Sequence, residues 1–588
     1  MKLINKINKA GAALIALALL ASCNKYLDKP PLTSFNDNSY WQSETELQLF
    51  CNGFYSQFNG AGTGTTSTIF SNVGTGSESD FYFPALSDDQ AGGGTETNIF
   101  PATAGSTAST WSTPYIYIRL AELLLARINK VPGLSPAAKN HYTGFAYFWL
   151  AEEYYDLVRH YGDVPFVNKY LDQSQDSSAI WGLRVPRDQV MDSVLTYINY
   201  AAANLYPKNT ADATQGLGSN TVNQDVANAL KSRICLFEGS WAKYHESNNQ
   251  RATQYFQACQ TASEAVMNSS VVYKLAADYG TIYRTNHTAG AGMATGGEVL
   301  LFRKYGTGLL SNTVMANATV NTNNSAGLTK DAVESFLLTD GNPISVLGGD
   351  PLYKGDTAIA FSIANTVLAN RDKRLVETVW PILTLSGHAG NVNGTNPSFT
   401  GYGIQRFTPI TYAGAVATPA IDPSQNDFPI YWLSEILLNE AEALTELGIF
   451  TQSNADATVN KLRARAGVAV LNVASIPVDT KRDADVPALL WEVRRERRVE
   501  LMLTSFRYWD LRRWGKISYL DPAVKPDISV GVNLKGTGLS NANTNGYLNA
   551  KTPSRVVTAP KNYLDFVPTG QLNNYTNAGI TFPQNPGW

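Results

Sequence analysis

The chain has 588 residues, with 46 Lys plus Arg against 49 Asp plus Glu, a formal net charge of −3. That balance excludes the basic footprint of a nucleic-acid-binding protein. The length allows a large core and several domains. Aromatic residues make up 11%, including 11 Trp and 30 Tyr, enough for helical cores and for stacking surfaces.

The amino terminus reads as a secretory signal. Lys2, Lys6 and Lys9 give a positive start, Ala10 to Leu20 an apolar run, and Leu20-Ala21-Ser22-Cys23 a small-residue cleavage point ending on cysteine. A cysteine there can carry acyl chains once residues 1–22 are removed, so Cys23 is the expected lipidation site. No later stretch has the roughly 20 unbroken apolar residues a membrane span needs. The expected mature protein is therefore anchored to a membrane rather than threaded through it. Cys51, Cys235 and Cys259 make no disulfide framework, and the last two read as packed core thiols.

Helical periodicity dominates much of the rest. Tyr115, Ile118, Ala121, Leu125 and Ile128 predict a helix from Pro114 to Val131, stopped by Pro132-Gly133. Ser135 can cap a second helix with Pro136 at its first position, running to Tyr161. Further helices are predicted at Arg187–Leu205, Val222–Tyr244, Arg251–Met267, Pro429–Leu447, Asn454–Ala466 and Val486–Leu503. Leu437, Ala441, Leu444 and Gly448, then Phe450 and a helix from Asn454, have the layout of a tetratricopeptide unit. Such a pair cannot bury its own apolar face, so stacked neighbours are required. Two stretches break the pattern. Residues 59–111 are rich in Gly, Ser and Thr around Phe81-Tyr82-Phe83, and residues 281–426 mix turn residues with short β-like runs such as Val376–Leu385. Loops this long in a compact domain are usually functional or disordered, and the aromatics argue against disorder.

Enzyme signatures are missing. There is no G-x-S-x-G elbow, no P-loop and no H-E-x-x-H, since His245-Glu246 lacks a second histidine. A glycosidase carboxylate pair is set by space rather than by sequence. The five histidines do not pair with Cys or carboxylates at metal spacing. No enzyme, cofactor or metal ion is expected. The segment Leu489–Lys516 is dense in Arg but interrupted by Glu492, Glu496, Glu500 and Asp510. It reads as a helix braced by ion pairs with Trp509 and Trp514 packed beneath.

These segments resemble the SusD/RagB family of Bacteroidetes nutrient-binding lipoproteins. The resemblance runs from Cys23-Asn24-Lys25-Tyr26-Leu27-Asp28 through Tyr154-Tyr155-Asp156-Leu157-Val158-Arg159-His160-Tyr161-Gly162-Asp163-Val164-Pro165, then Asn370-Arg371-Asp372-Lys373-Arg374-Leu375. It continues at Leu437–Ala443 and Val459–Gly467. It is densest at Arg495-Glu496-Arg497-Arg498-Val499-Glu500-Leu501 with Arg507-Tyr508-Trp509-Asp510-Leu511-Arg512-Arg513-Trp514, and ends on Gln584-Asn585-Pro586-Gly587-Trp588. Met502-Leu503-Thr504-Ser505-Phe506 departs from the family's aromatic-Glu-Gly turn.

The resemblance implies a mostly α fold of tetratricopeptide-like helix pairs forming a superhelical scaffold, about 112–270 and 427–515. A large irregular, loop-rich insertion, about 59–111 and 281–426, would carry the ligand face, all within one SusD-like domain of residues 23–588. It also implies a lipid-anchored outer-membrane protein facing the cell exterior, which captures oligosaccharides as a lid for a SusC-like TonB-dependent transporter. A peptide-binding lid of the RagB type uses the same scaffold and is the alternative. A sugar site needs an aromatic platform with polar groups at its rim. Candidates in the irregular regions are Asp80, Tyr82, Phe83, Tyr305, Arg374, Trp380 and Tyr402. About two or three of them are expected to touch ligand, since a few residues carry most of the energy. Arg374 also lies in a scaffold motif.

Overall fold

The computed structural model describes residues 37, 40–58, 87–91, 100–172, 176, 179–215, 220–284, 293, 297–305, 327–347, 366–381, 398–407, 426–535, 543–550 and 555–588. The principal helices are α1 (Glu44–Asn52), α2 (Ser109–Arg127), α3 (Pro136–Tyr161), α4 (Arg187–Asn204), α5 (Gln224–Tyr244) and α6 (Asn249–Met267). After them come α7 (Lys330–Ser335), α8 (Lys373–Thr378), α9 (Leu433–Glu446), α10 (Gln452–Ala457), α11 (Val459–Ala466), α12 (Ala488–Glu500), α13 (Phe506–Arg513) and α14 (Thr569–Asn577).

Local chemistry sets many of the boundaries. The Ser135 hydroxyl accepts from the Ala138 N–H at 3.1 Å, with Pro136 opening α3 as the sequence predicts. Asn223 and Asn248 cap α5 and α6. Gly448 turns the chain from α9 toward α10 at φ +74°, where a Cβ would strain the backbone. α2 begins upstream of the predicted start, at Ser109, and holds Pro114 in its second turn. The segment predicted as one helix from Asn454 is two, broken at Thr458 (φ −127°, ψ −93°).

The helices stack in series: α2 on α3, α3 on α4, α4 on α5, α5 on α6, α6 on α9, and α9 on α12. This is the tetratricopeptide-like layering expected, each pair burying the face its neighbour exposes. Cys235 and Cys259 are buried free thiols inside it.

Two predicted elements are corrected. Phe428–Trp432 is a strand, not the start of the helix predicted from Pro429. All five residues are buried, the run is apolar on both faces, and it pairs antiparallel with Val299–Arg303. We label these β2 and β1. Aromatic and β-branched residues buried on both sides favour a strand over an amphipathic helix. In the run Val376–Leu385, Val376 to Thr378 complete α8, and Val379 forms an isolated bridge with Ile404.

One hydrophobic cluster lies under α1–α5 and α13. A second is shared between the irregular part and α9, α11 and α12, and gathers Tyr279, Tyr283, Tyr305, Phe336, Tyr402, Phe407 and Phe428 with Leu437, Leu462 and Val499.

Candidate ligand-binding cleft

Buried polar side chains tie down the ends of the irregular excursions. Before the excursion after Phe58, Arg303 donates to the carbonyls of Tyr55 (3.1 Å), Ser56 (3.0 Å) and Phe58. The chain returns at Ser87, whose carbonyl accepts from Arg555 at 2.7 Å. Arg507 holds Asp88 through both oxygens at 2.7 and 2.6 Å, and Arg498 donates to Asp89 at 2.7 Å. Burial pushes the Asp88 carboxyl up, but Arg498 and Arg507 outweigh it and hold it below its ordinary range. Asn426 brings together the two ends of residues 408–425 by donating to the Phe407 carbonyl at 2.9 Å. Buried backbone groups left unpaired are costly, so these bonds fix where each excursion leaves and rejoins.

A cleft of about 400 Å³ opens beside the first anchor, with Phe58 in its wall. α3 places Trp149, Glu153, Asp156 and Arg159 on it, α5 adds Arg233, β2 adds Trp432, and α13 adds Phe506 and Trp509. The α3 positions follow helical spacing, so one helix supplies an indole, a guanidinium and three carboxyls, the third being Glu152, which accepts from the Tyr431 hydroxyl at 3.3 Å.

The charges in the cleft are compensated. Arg159 donates to Asp156 at 2.8 Å and lies 4.2 Å over the Trp509 ring. Arg233 grips Glu435 with two bonds of 2.7 Å and lies 4.3 Å over Tyr431 and 5.0 Å over Phe506. Burial, with Asp156 and Glu152 nearby, pushes the Glu153 carboxyl well above the ordinary carboxylate range. Gln57 donates to one Glu153 oxygen at 3.2 Å. The other oxygen, and the Trp149 indole N–H, are buried without a hydrogen-bond partner among the described residues. The cleft thus combines aromatic walls with neutral or paired polar groups. That chemistry suits an uncharged, hydroxylated ligand with apolar faces, and the volume lies within the roughly 300–1,000 Å³ of small-molecule pockets. Among the described residues, no cluster of three or more His, Cys, Asp or Glu side chains is placed to hold a metal ion.

Of the residues singled out from sequence, the four that are described, Tyr305, Arg374, Trp380 and Tyr402, do not line this cleft. Cys23, Asp80, Tyr82 and Phe83 lie outside the described residues. Tyr305 and Tyr402 are buried in the second hydrophobic cluster. Arg374 is buried against Asp372 (2.7 Å), Glu496 (2.6 Å) and Glu500 (2.8 Å), a scaffold position with no surface for a ligand. Trp380 is half-buried, and its backbone N–H donates to the Gly403 carbonyl at 2.9 Å. Sequence reasoning missed Phe58, Trp149, Arg159 and Phe506. Phe58 carried one usable signal, as the last aromatic before the Gly/Ser/Thr-rich stretch.

A family model described as the SusD family matches residues 264–588, more than half of the chain. The chain belongs to the SusD family. A second model, described as starch-binding associating with outer membrane, matches residues 25–236. Among curated proteins no match was found. Similar solved structures share the SusD-family fold. A SusD-like carbohydrate binding protein from Bacteroides fragilis is 20% identical over 91% of this chain and 99% of its own, with a TM-score of 0.65. A SusD homolog from Bacteroides thetaiotaomicron is 17% identical over 94% of this chain and 98% of its own, with a TM-score of 0.62. A laminarin binding SusD-like protein is 20% identical over 93% of this chain and all of its own (100%), with a TM-score of 0.52.

Proposed function

We propose that this protein captures neutral oligosaccharides at the outer membrane and holds them as a lid for a SusC-like TonB-dependent transporter. Membership in the SusD family carries the reading, since the model matching its amino-terminal part is named for starch binding with the outer membrane. Two structural relatives described as carbohydrate and laminarin binding support it. So does the aromatic, charge-compensated cleft, because pyranose C–H faces pack on rings while hydroxyls need directional partners. In this reading residues 1–22 are a signal peptide, Cys23 carries the lipid, and residues 23–588 form the capturing domain. Asp80, Tyr82, Phe83 and Trp380 stay proposed ligand contacts alongside Phe506 of the cleft.

A soluble form lacking residues 1–23, titrated calorimetrically with maltohexaose, laminarihexaose and a mixed peptide library, tests this reading. Binding of at least one oligosaccharide, recovered intact after incubation, is expected. Binding of peptides alone would move the assignment to a RagB-type peptide lid. Cleaved sugar that tracks with the purified protein would indicate an enzyme instead.

A further inference from the structure

α12 and α13 divide two cavities. Arg497, Phe506 and Trp509 face the cleft described above, whereas Trp491, Arg494, Arg498 and Trp514 face a second cavity of about 230 Å³. The second cavity is walled by α12, by Asp331, Glu334 and Ser335 of α7 with the 343–345 turn, and by the 519–527 segment.

Three rings form its aromatic wall, and each is fixed by its polar edge. Trp491 donates to Asp479 at 2.9 Å, Trp514 donates to Glu442 at 2.6 Å, and Tyr519 donates to Asp483. Their N–H and O–H groups are therefore spent; Arg494 lies 4.3 Å over the Trp514 ring and Lys525 4.3 Å over the Tyr519 ring, so the half-buried Trp491 ring offers its face to a ligand. Pro343, Ile344 and Val486 extend the apolar lining. Just outside, Val346, Val478 and Val524 are 45%, 77% and 52% exposed, each adjoining a lining residue in sequence.

The charged groups of the lining are paired. Lys481 bonds Glu334 and lies 3.0 Å from Asp527, Lys516 lies 2.8 Å from Asp485, and Lys525 lies 3.2 Å from Asp483. Arg498 meets Asp89 and Asp331, both at 2.7 Å, and Arg507 meets Asp88 at 2.6 Å. A charged ligand would have to break one of these pairs. A wholly apolar ligand would strip water from them without replacing its hydrogen bonds. A polyol ring satisfies both constraints, because a paired carboxylate keeps lone pairs and a paired ammonium keeps a donor. The volume is below the roughly 300–1,000 Å³ of pockets for larger ligands, so it suits one ring rather than a chain of them.

We propose that this cavity is a second carbohydrate subsite, taking a single neutral hexose unit on the α7 side of the α12–α13 wall. The ligand class rests on the glycan reading above; the place does not. The test is ¹⁹F NMR of the soluble mature chain carrying 5-fluorotryptophan, with the Trp491 resonance assigned by its loss in Trp491→Phe. The probes are methyl α- and β-glucoside, galactoside and mannoside, with methyl β-glucuronide and N-acetyl-leucinamide as charged and apolar controls. At least one neutral glycoside should shift the Trp491 signal saturably, and neither control should. In Trp491→Ala the affinity for that glycoside, read calorimetrically because the reporter is gone, should fall at least fivefold, while Phe506→Ala should leave it unchanged. A silent Trp491 signal with all neutral glycosides, or an equal response to the leucine amide, overturns the proposal. Maltohexaose and laminarihexaose titrated into the same sample separate the two failures. Oligosaccharide binding that is sensitive to Phe506→Ala with a silent Trp491 removes only the second subsite, whereas no sugar binding anywhere removes both.

Discussion

The carboxylate of Asp427 accepts the backbone N–H of Tyr305 through one oxygen at 2.8 Å and leaves its other oxygen to Met293 at 2.9 Å. One side chain thus fixes points in two irregular excursions that are adjacent in sequence, from its own place at the mouth of β2. Asp427→Ala would leave two buried donors unpaired, at a cost of roughly 1–3 kcal/mol each. Urea unfolding should show that loss, and hydrogen exchange should accelerate at residues 293 and 305. In Asp427→Asn only one oxygen remains to accept, so a loss about half as large is expected.

Arg374 offers a sharper test of the ion-pair lattice. Replacement by Met leaves Asp372, Glu496 and Glu500 together in the interior, and breaking a buried pair in this way costs about 3–5 kcal/mol. Circular dichroism during urea unfolding would measure it. An unchanged midpoint would mean that the carboxylates find other partners at no cost.

Trp509 and Phe506 sit three residues apart on α13 and should separate stability from binding. Trp509 is buried, packs edge-on against His160 at 4.7 Å and lies under Arg159. Trp509→Ala should cost about 3–5 kcal/mol of stability. Phe506 is half-buried at the cleft, so Phe506→Ala should move the melting temperature less. Its oligosaccharide affinity should drop by about 1–3 kcal/mol, the range of a hot-spot aromatic. Tyr82→Ala and Phe83→Ala belong in the same titration, and no change in all three variants would displace the proposed site.

Acid should weaken the fold through His141. Its Nδ1 accepts the Tyr206 N–H at 3.0 Å, and the two rings stack at 4.1 Å. Burial lowers its pKa from 6.5 to about 4. The folded state therefore keeps the imidazole neutral where the unfolded chain binds a proton. Stability from this group is complete above about pH 6.5 and is lost as the pH falls toward 4. The expected loss between about pH 7.5 and about pH 5 is on the order of 2 kcal/mol. His141→Gln can present an amide acceptor that does not titrate, so its melting curve should depend less on pH in that window.

Anchoring has its own test. Cys23→Ala should leave the chain without acyl groups, because the thiol is what carries them. Retention of the variant in the outer-membrane fraction of cells lacking the partner transporter would refute the anchor.

The helical scaffold was legible because its signals are local. Ser135 with Pro136, the apolar spacing of α3 and Gly448 each act within a few residues of where they stand. The strand β2 was misread because five consecutive apolar residues have no periodicity of their own, and the partner that makes them a strand lies more than a hundred residues upstream. The cleft was not legible for a related reason. Trp149 and Glu153 share a helix with many core residues, and which stripe faces the opening depends on α5, β2 and α13. Tyr305 and Tyr402 were offered as ligand contacts because irregular chain was equated with surface. That chain packs a core against α9, α11 and α12, and both rings are inside it. The charged motif of α12 and α13 reads as bracing, but what it braces is not local: Arg498 reaches Asp89 and Arg507 reaches Asp88, about four hundred residues away in sequence.

The α12–α13 wall is cross-braced at many points. Arg497 meets Asp510, Arg513 meets Glu442 and Asp510, Arg463 meets Glu492 and Glu496, and Arg512 meets Asp565. A partition held this way resists the shift between two arrangements by which sites are commonly linked. Filling one cavity would leave the affinity of the other unaltered. Two sites that ignore each other still reinforce a ligand able to touch both, since the second contact is made at the high effective concentration set by the first. For a branched or folded-back glycan, the stiffness of this wall would give avidity without cooperativity.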